Sequence, residues 1–216
     1  MRVKTVLFDL DGTLIDTAPD MAAALTVLCT EENQPTLSYA QVRPVVSNGS
    51  AALVKLAFGE LEDEKRLMHL KQRYLEIYEE NICIDSALFK GIETVLDHIE
   101  NHGLNWGVVT NKPGWLTLPL MKSLSLTQRA ATIVSGDTTP NSKPHPDPMH
   151  YACEETESES HECMYVGDAR RDIEAGRNAG MKTLVANYGY IATGEDVTSW
   201  CADGIINDPE DILNYL

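Results

Sequence analysis

Val3–Leu10 is an apolar, β-branched run of strand length that halts at Asp11-Gly12, a turn signal. The pattern predicts a buried parallel strand with Asp9 and Asp11 at its carboxyl end. From Asp16 to about Leu88 no comparable run occurs. Leu67, Leu70, Tyr74, Ile77 and Tyr78 recur instead at helical spacing, which predicts an all-helical insert of about seventy residues. Residues 16–89 form the expected insert, and residues 1–15 and 90–216 the expected core. After Gly91 strand and helix alternate. Trp106–Thr110, Ala131–Val134, Met164–Val166 and Thr183–Ala186 read as strands, and Ile92–Asn101, Trp115–Leu124 and Asp172–Ala179 as helices. The predicted class is α/β, a doubly wound, mostly parallel sheet. Ligands of such sheets sit beyond the carboxyl ends of the strands, where this pattern puts Asp9, Asp11, Thr110, Asn111 and Asp168.

Composition narrows the partners. At 216 residues, 43% apolar and 23% charged, the chain is ordinary globular material with enough length for a real core. Seventeen Lys and Arg against thirty-three Asp and Glu give a net charge of −16, a surface that repels phosphate backbones and anionic lipid. Nucleic acid and membranes are therefore not expected as partners. The longest apolar stretches, Ala22–Leu28 and Leu104–Val109, fall far short of the roughly 18 residues of a spanning helix. No small-residue cleavage site follows the first apolar run, so a cytoplasmic protein is expected. Cys29, Cys83, Cys153, Cys163 and Cys201 include no Cys-x-x-Cys pair and read as free buried thiols. His98 and His102 stand four apart with no third ligand nearby and read as helix surface.

The chemistry gathers at the strand ends. Asp9 and Asp11 leave the sheet in one direction just before a tight turn, so one can attack while the other moves protons. Gly167-Asp168-Ala169-Arg170-Arg171-Asp172 follows another apolar strand and brings further carboxylates to the same crevice. Their mutual repulsion calls for a hard divalent cation with oxygen ligands, and Mg²⁺ is the expected ion. Helix capping alone accounts for one of Asp168 and Asp172, not for their coincidence with Asp9 and Asp11. Thr110-Asn111-Lys112 and Ser142-Lys143-Pro144 offer a hydroxyl, backbone N–H groups and a lysine, the partners a phosphoryl group needs. Lys112 and Lys143 are equally eligible as that lysine. Arg43 lies just ahead of Ser47-Asn48-Gly49-Ser50, which reads as the start of a helix through Phe58. Arg43, Asn48 and Gly49 could form an anion site, or an ordinary surface arginine beside an ordinary cap.

In this order, Asp9-x-Asp11-Gly-Thr, Thr110, Lys143-Pro144 and Gly167-Asp168-x-x-x-Asp172 resemble the haloacid dehalogenase-type phosphatase superfamily over the whole chain. Within it the chain is similar to the phosphoglycolate and N-acetylmuramic acid 6-phosphate phosphatases. The resemblance implies that the insert is a helical cap and that the enzyme hydrolyses a small phosphorylated, carboxylate-bearing metabolite. It implies that Asp9 forms an aspartyl-phosphate and that Asp11 is the general acid and base. Mg²⁺ would be held by Asp9, Asp168 and the Asp11 carbonyl, with Asp172 in or near that set, while Thr110, Asn111 and Lys143 hold the phosphoryl group. Two other readings fit parts of the pattern. A phosphosugar mutase shares the fold and chemistry, and a receiver-like phosphoacceptor gathers similar groups but lacks the insert and a second carboxylate at the Asp11 position.

Overall fold

A computed structural model describes residues 3–216 of the chain. The chain opens with β1 (Thr5–Phe8) and, after the Asp11-Gly12 turn, a two-residue strand β2 (Ile15–Asp16). Helices α1 (Ala18–Glu31), α2 (Tyr39–Val42), α3 (Gly49–Phe58) and α4 (Glu64–Glu80) follow, with a 3₁₀ turn over Arg43–Asn48, and β3 (Ala87–Leu88) closes the excursion. Strand and helix then alternate as α5 (Ile92–Asn101), β4 (Asn105–Val109), α6 (Gly114–Ser123), β5 (Thr132–Val134), α7 (Asp147–Glu155), β6 (Cys163–Gly167), α8 (Arg170–Asn178), β7 (Lys182–Ala186) and β8 (Gly204–Ile206).

The main sheet has six parallel strands in the order β5-β4-β1-β6-β7-β8. β1 lies where the order reverses, so its carboxyl end opens onto the crevice in which doubly wound sheets bind ligands. Alternation along β1 feeds two cores. Val6 and Phe8 pack with Ile92, Val95, Leu96 and Ile99 of α5, whereas Leu7 turns to the other face with Met149 and Ala152 of α7 and Ala175 of α8. The α5 positions fall at i, i+3, i+4 and i+7, the stripe that a helix on a sheet must bury.

The helical segment has its own apolar cluster. Met21, Leu25 and Leu28 of α1 meet Leu53 and Val54 of α3 and Leu70, Tyr74, Ile77 and Tyr78 of α4, and Leu116 and Tyr190 join them from the sheet side. β2 and β3 pair antiparallel at its base. Buried Asp20 fixes the return path, because its carboxylate accepts the N–H groups of Ile84, Asp85 and Ser86 and the Ser86 hydroxyl. The predicted strands and helices of the α/β part are present within a few residues. β2, β3 and β8 carry no signal of their own, since two or three residues cannot establish an alternation.

Among the described residues no helix is long and apolar enough to cross a membrane. All five cysteines are free, but Cys201 is exposed and Cys83 only half-buried, so burial of every thiol is corrected. Cys201 follows a 3₁₀ turn in a left-handed conformation with φ +60°. His98 and His102 stack at 4.0 Å on the surface of α5 and its C-cap.

Candidate active site

Asp9 and Asp11 sit just past β1 and both line one cavity of about 380 Å³. Gly12 makes the approach of the next motif possible. Its φ of +85° is left-handed, and a Cβ there would collide with the Asp168 carboxylate and the Tyr190 ring. Asp168 follows β6, and Asp172 lies in the first turn of α8, so two strand ends and one helix start meet around a small volume.

Asp9 and Asp11 are each met by a different lysine. Lys143 Nζ lies 2.8 Å from Asp9 Oδ1, donates to the Tyr165 hydroxyl at 2.7 Å and forms a 2.8 Å ion pair with Asp172 Oδ1. The Tyr165 hydroxyl in turn donates to the Val109 carbonyl at 2.7 Å. Lys112 Nζ donates to Asp11 Oδ1 at 3.0 Å and to the Tyr78 hydroxyl of α4 at 2.9 Å. The Thr17 hydroxyl donates to the same Asp11 oxygen at 2.7 Å. The two lysines, indistinguishable in the sequence, are thus divided between the two carboxylates.

Asp9, Asp168 and Asp172 form the cluster able to hold a metal, each offering an oxygen within 4.8 Å of the others and all buried. Asp168 Oδ2 accepts from Tyr190 N–H and the Ser47 hydroxyl, whereas Asp168 Oδ1 is buried with no hydrogen-bond partner. Asp172 Oδ2 caps the start of α8 by accepting from Ala169 N–H, and its Oδ1 meets Lys143 in an ion pair outside hydrogen-bond geometry. Burial, then the charges of Asp9 and Asp172, push the Asp168 carboxyl up to about 7. Burial followed by the charge of Asp9 also raises Asp172, against the pull of Lys143 and Arg171. An all-oxygen cluster with an orphaned buried oxygen fits a hard divalent cation, which would relieve both costs. The Asp11 side chain, held by Lys112 and Thr17, lies outside this group.

Thr110 follows β4 directly and lines the cavity, with its hydroxyl oxygen accepting from Lys112 N–H at 3.2 Å. Asn111 also lines the cavity, but its side chain clamps the other loop. Its Nδ2 donates to the Lys143 carbonyl at 2.9 Å and its Oδ1 accepts from Lys143 N–H at 3.0 Å. That reciprocal pair fixes the backbone from which Lys143 reaches Asp9. Asn48 and Gly49 line the opposite wall at the start of α3.

Arg43 lies apart from the other candidates. It is absent from the cavity wall, and its guanidinium donates to the carbonyls of Gly189 at 3.1 Å and Tyr188 at 3.3 Å while lying 4.9 Å above the Tyr190 ring. The 3₁₀ turn that begins at Arg43 lays the side chain against this loop instead of into the cavity. Three further residues also shape the site: Arg171, which lines the cavity and donates to the Ser47 carbonyl at 2.6 Å, and Tyr165 and Tyr78, whose hydroxyls orient the two lysines. Arg171 was findable beside Asp172. A strand tyrosine and a helix tyrosine carry no such signal.

A doubly wound sheet with buried carboxylates and two lysines at its switch point defines an α/β enzyme built around an acidic centre. The model of the haloacid dehalogenase-like hydrolases matches residues 6–186, and the chain belongs to that family. An N-acetylmuramic acid 6-phosphate phosphatase of Pseudomonas aeruginosa is 40% identical over 216 residues, 100% of this chain and 96% of that protein. A phosphoglycolate phosphatase of Xanthomonas campestris pv. campestris is 41% identical over 206 residues, 95% of this chain and 93% of its own length. The solved structure of a predicted phosphoglycolate phosphatase from Haemophilus somnus superposes with a TM-score of 0.88 at 28% identity, covering 100% of this chain and 98% of that one.

Proposed function

We propose that the protein is a phosphomonoester hydrolase working through an aspartyl-phosphate on Asp9, and that its substrate is a small, carboxylate-bearing phosphorylated metabolite. The observation that carries this reading is the division of labour between the two aspartates. Asp9 lies among the cations and carboxylates at the cluster, and Asp11 stands beside it in the same cavity but apart from that cluster. Asp9 is placed to form a bond to phosphorus as the bond to the leaving oxygen breaks, while Asp11 gives that oxygen a proton. Asp11 then takes a proton from the water that attacks the phosphoaspartate, which releases phosphate and restores Asp9. Lys143 offsets the charge on Asp9, and the Thr110 hydroxyl and the Asn111 backbone hold phosphoryl oxygens.

Asp9, Asp168 and Asp172 would hold Mg²⁺, with the Asp11 carbonyl the fourth candidate. When bound, the ion offsets the repulsion between these carboxylates and a phosphate dianion. Residues 16–89 act in this reading as a cap over the cavity that keeps bulk water from the phosphoaspartate. The two relatives compared above are named for N-acetylmuramic acid 6-phosphate and phosphoglycolate, which both carry a carboxylate beside the phosphate. That shared feature supports a second anion in this protein's substrate.

The test is phosphate release from a panel of phosphorylated acids and sugars in Mg²⁺. Free phosphate from at least one of them is expected, and it should disappear in excess EDTA. A phosphate moved between two positions of a sugar, with none released, would make the protein a mutase. A phosphoaspartate that persists without turnover would make it a phosphoacceptor.

A further inference from the structure

With Arg43 tied to the core, the question is which cation meets the substrate's second anion. The cations around the cavity are mostly committed. Lys112 is paired with Asp11, and Lys143, behind the wall, with Asp9 and Asp172. Arg171 donates to the Ser47 carbonyl and faces the field of Asp9, Asp168 and Asp172. Lys71 is different. It lines the same cavity, is exposed, and has neither an ion pair nor a hydrogen bond among the described residues.

Its place on α4 is informative. Lys71, Leu75 and Tyr78 line the cavity at i, i+4 and i+7, a single stripe of the helix, so the lysine stem runs along the cavity wall. Tyr78 marks the deep end, where its hydroxyl touches the lysine on Asp11. Seven residues of helix separate Lys71 from it, about 10 Å at 1.5 Å per residue. Side chains tilt toward the helix N-terminus, so the Lys71 ammonium leans further from the reacting centre. An anion read there stands well beyond a carboxylate one carbon from the phosphoester oxygen. The cavity between them is large enough for such a molecule: its roughly 380 Å³ falls within the about 300–1,000 Å³ range of sites for drug-sized ligands, and Met21, Val46, Leu75 and Leu116 give it apolar walls.

We infer that Lys71 is the specificity-determining residue for the leaving group, binding a carboxylate at the far end of an extended phosphomonoester such as a sugar acid phosphate. The inference rests on the hydrolase reading above. A surface with a net charge of −16 repels such a dianionic or trianionic substrate, and an unpaired lysine on the cavity wall supplies a local attraction against that field.

The experiment compares N-acetylmuramic acid 6-phosphate with N-acetylglucosamine 6-phosphate, the same sugar phosphate without the lactyl acid, in Mg²⁺. The readout is the ratio of their kcat/KM values in the wild type, Lys71→Gln and Lys71→Arg. The wild type should favour the acid, Lys71→Gln should lower that preference about tenfold through KM, and Lys71→Arg should restore most of it. A preference unchanged in Lys71→Gln, or a wild type indifferent to the acid, would overturn the assignment. A fall carried by kcat on both sugars would do the same, since it would mean that Lys71 supports the cap. Phosphate released from neither sugar nor from an aryl phosphate would sink the hydrolase reading itself, a result separable from any of these.

Discussion

The two walls of the cavity are built on opposite principles. On the sheet side nearly every charge is answered by another within the protein: Asp9 by Lys143, Asp11 by Lys112 and Thr17, Asp172 by Lys143 and the start of α8. On the helical side Met21, Val46, Leu75 and Tyr78 stand beside Ser47, Asn48, Ser50 and Lys71, and that lysine has no ion-pair or hydrogen-bond partner among the described residues. A centre that must perform the same reaction on every substrate gains from groups locked in place before binding. A wall that must discriminate among leaving groups gains from a contact completed only by the ligand.

The sharpest break in this comparison comes from the aspartates. Asp9→Asn should remove phosphate release altogether. Asp11→Asn should slow it by about 10²–10⁴-fold, the usual worth of a general acid–base group. Single-turnover mixing with an aryl phosphate checks the pair, because Asp11→Asn should still accumulate phosphoprotein and Asp9→Asn should not. Equal, modest losses would mean that the two carboxylates share one role.

The lysines come next. Lys143 is 1% exposed and faces Asp9 and Asp172 at 5% and 0%, whereas Lys112 and Asp11 are 5% and 17% exposed. Removing one partner of a fully buried pair costs about 3–5 kcal/mol, because the remaining charges are left uncompensated. Lys143→Met should therefore destabilise the metal-free protein by that order in urea unfolding, and Lys112→Met by clearly less. Equal costs would show that the Asp11 pair is as closed to water as the Asp9 pair.

The difference between the walls also decided what could be read in the sequence. Asp9, Asp11 and Asp168 follow apolar runs, and a strand end fixes where such residues must project, so their place at one edge of the sheet is legible in the sequence. The helical side offered no such rule. Helical spacing marks the buried face of α4, yet the turn at Arg43–Asn48 decides whether an arginine points into the cavity or along the core. Lys71 carries no local signal, since a lysine on an amphipathic helix reads as solvated surface until the neighbouring wall is known. Tyr165 and Tyr78 were hidden for a similar reason: their rings belong to the cores, and only the hydroxyl positions reveal a second task.

Metal binding should separate the walls through pH. The Asp168 carboxyl stands at about 7 in the folded chain, against about 3.9 when unfolded. Between those values the folded state keeps a proton that the unfolded state has lost, so this group's stabilising contribution falls as pH rises. The elevated Asp172 acts in the same direction. With a chelator present, the melting temperature should drop by several degrees between about pH 5 and pH 7. Mg²⁺ should restore it, most fully near and above pH 7, where protons no longer compete for the cluster. Differential scanning fluorimetry across that range tests this, and a flat profile in chelator would break the link between burial and charge at the cluster.

The smallest effect belongs to Arg43, which touches neither wall. Its two hydrogen bonds end on the carbonyls of Gly189 and Tyr188, and the Gly189 loop carries Tyr190, whose N–H holds Asp168 and whose hydroxyl binds Asp16 and Ala18 N–H. Arg43 therefore fastens the turn leading into α3 to the loop that supports the acidic cluster. Losing charge-assisted bonds of this kind costs about 1.5–3 kcal/mol, less where the carbonyls regain water. Arg43→Met should lower stability by a fraction of that range and reduce kcat/KM severalfold. The reduction should be the same for a sugar acid phosphate and an aryl phosphate, because what is loosened is the seating of one wall on the other. Lys71→Gln should produce the complementary pattern of little change in stability and a shift in preference. If Arg43→Met proved selective for the carboxylate-bearing substrate, the guanidinium would have to leave Gly189 when substrate binds, and the reading of the anion would move from α4 to the turn.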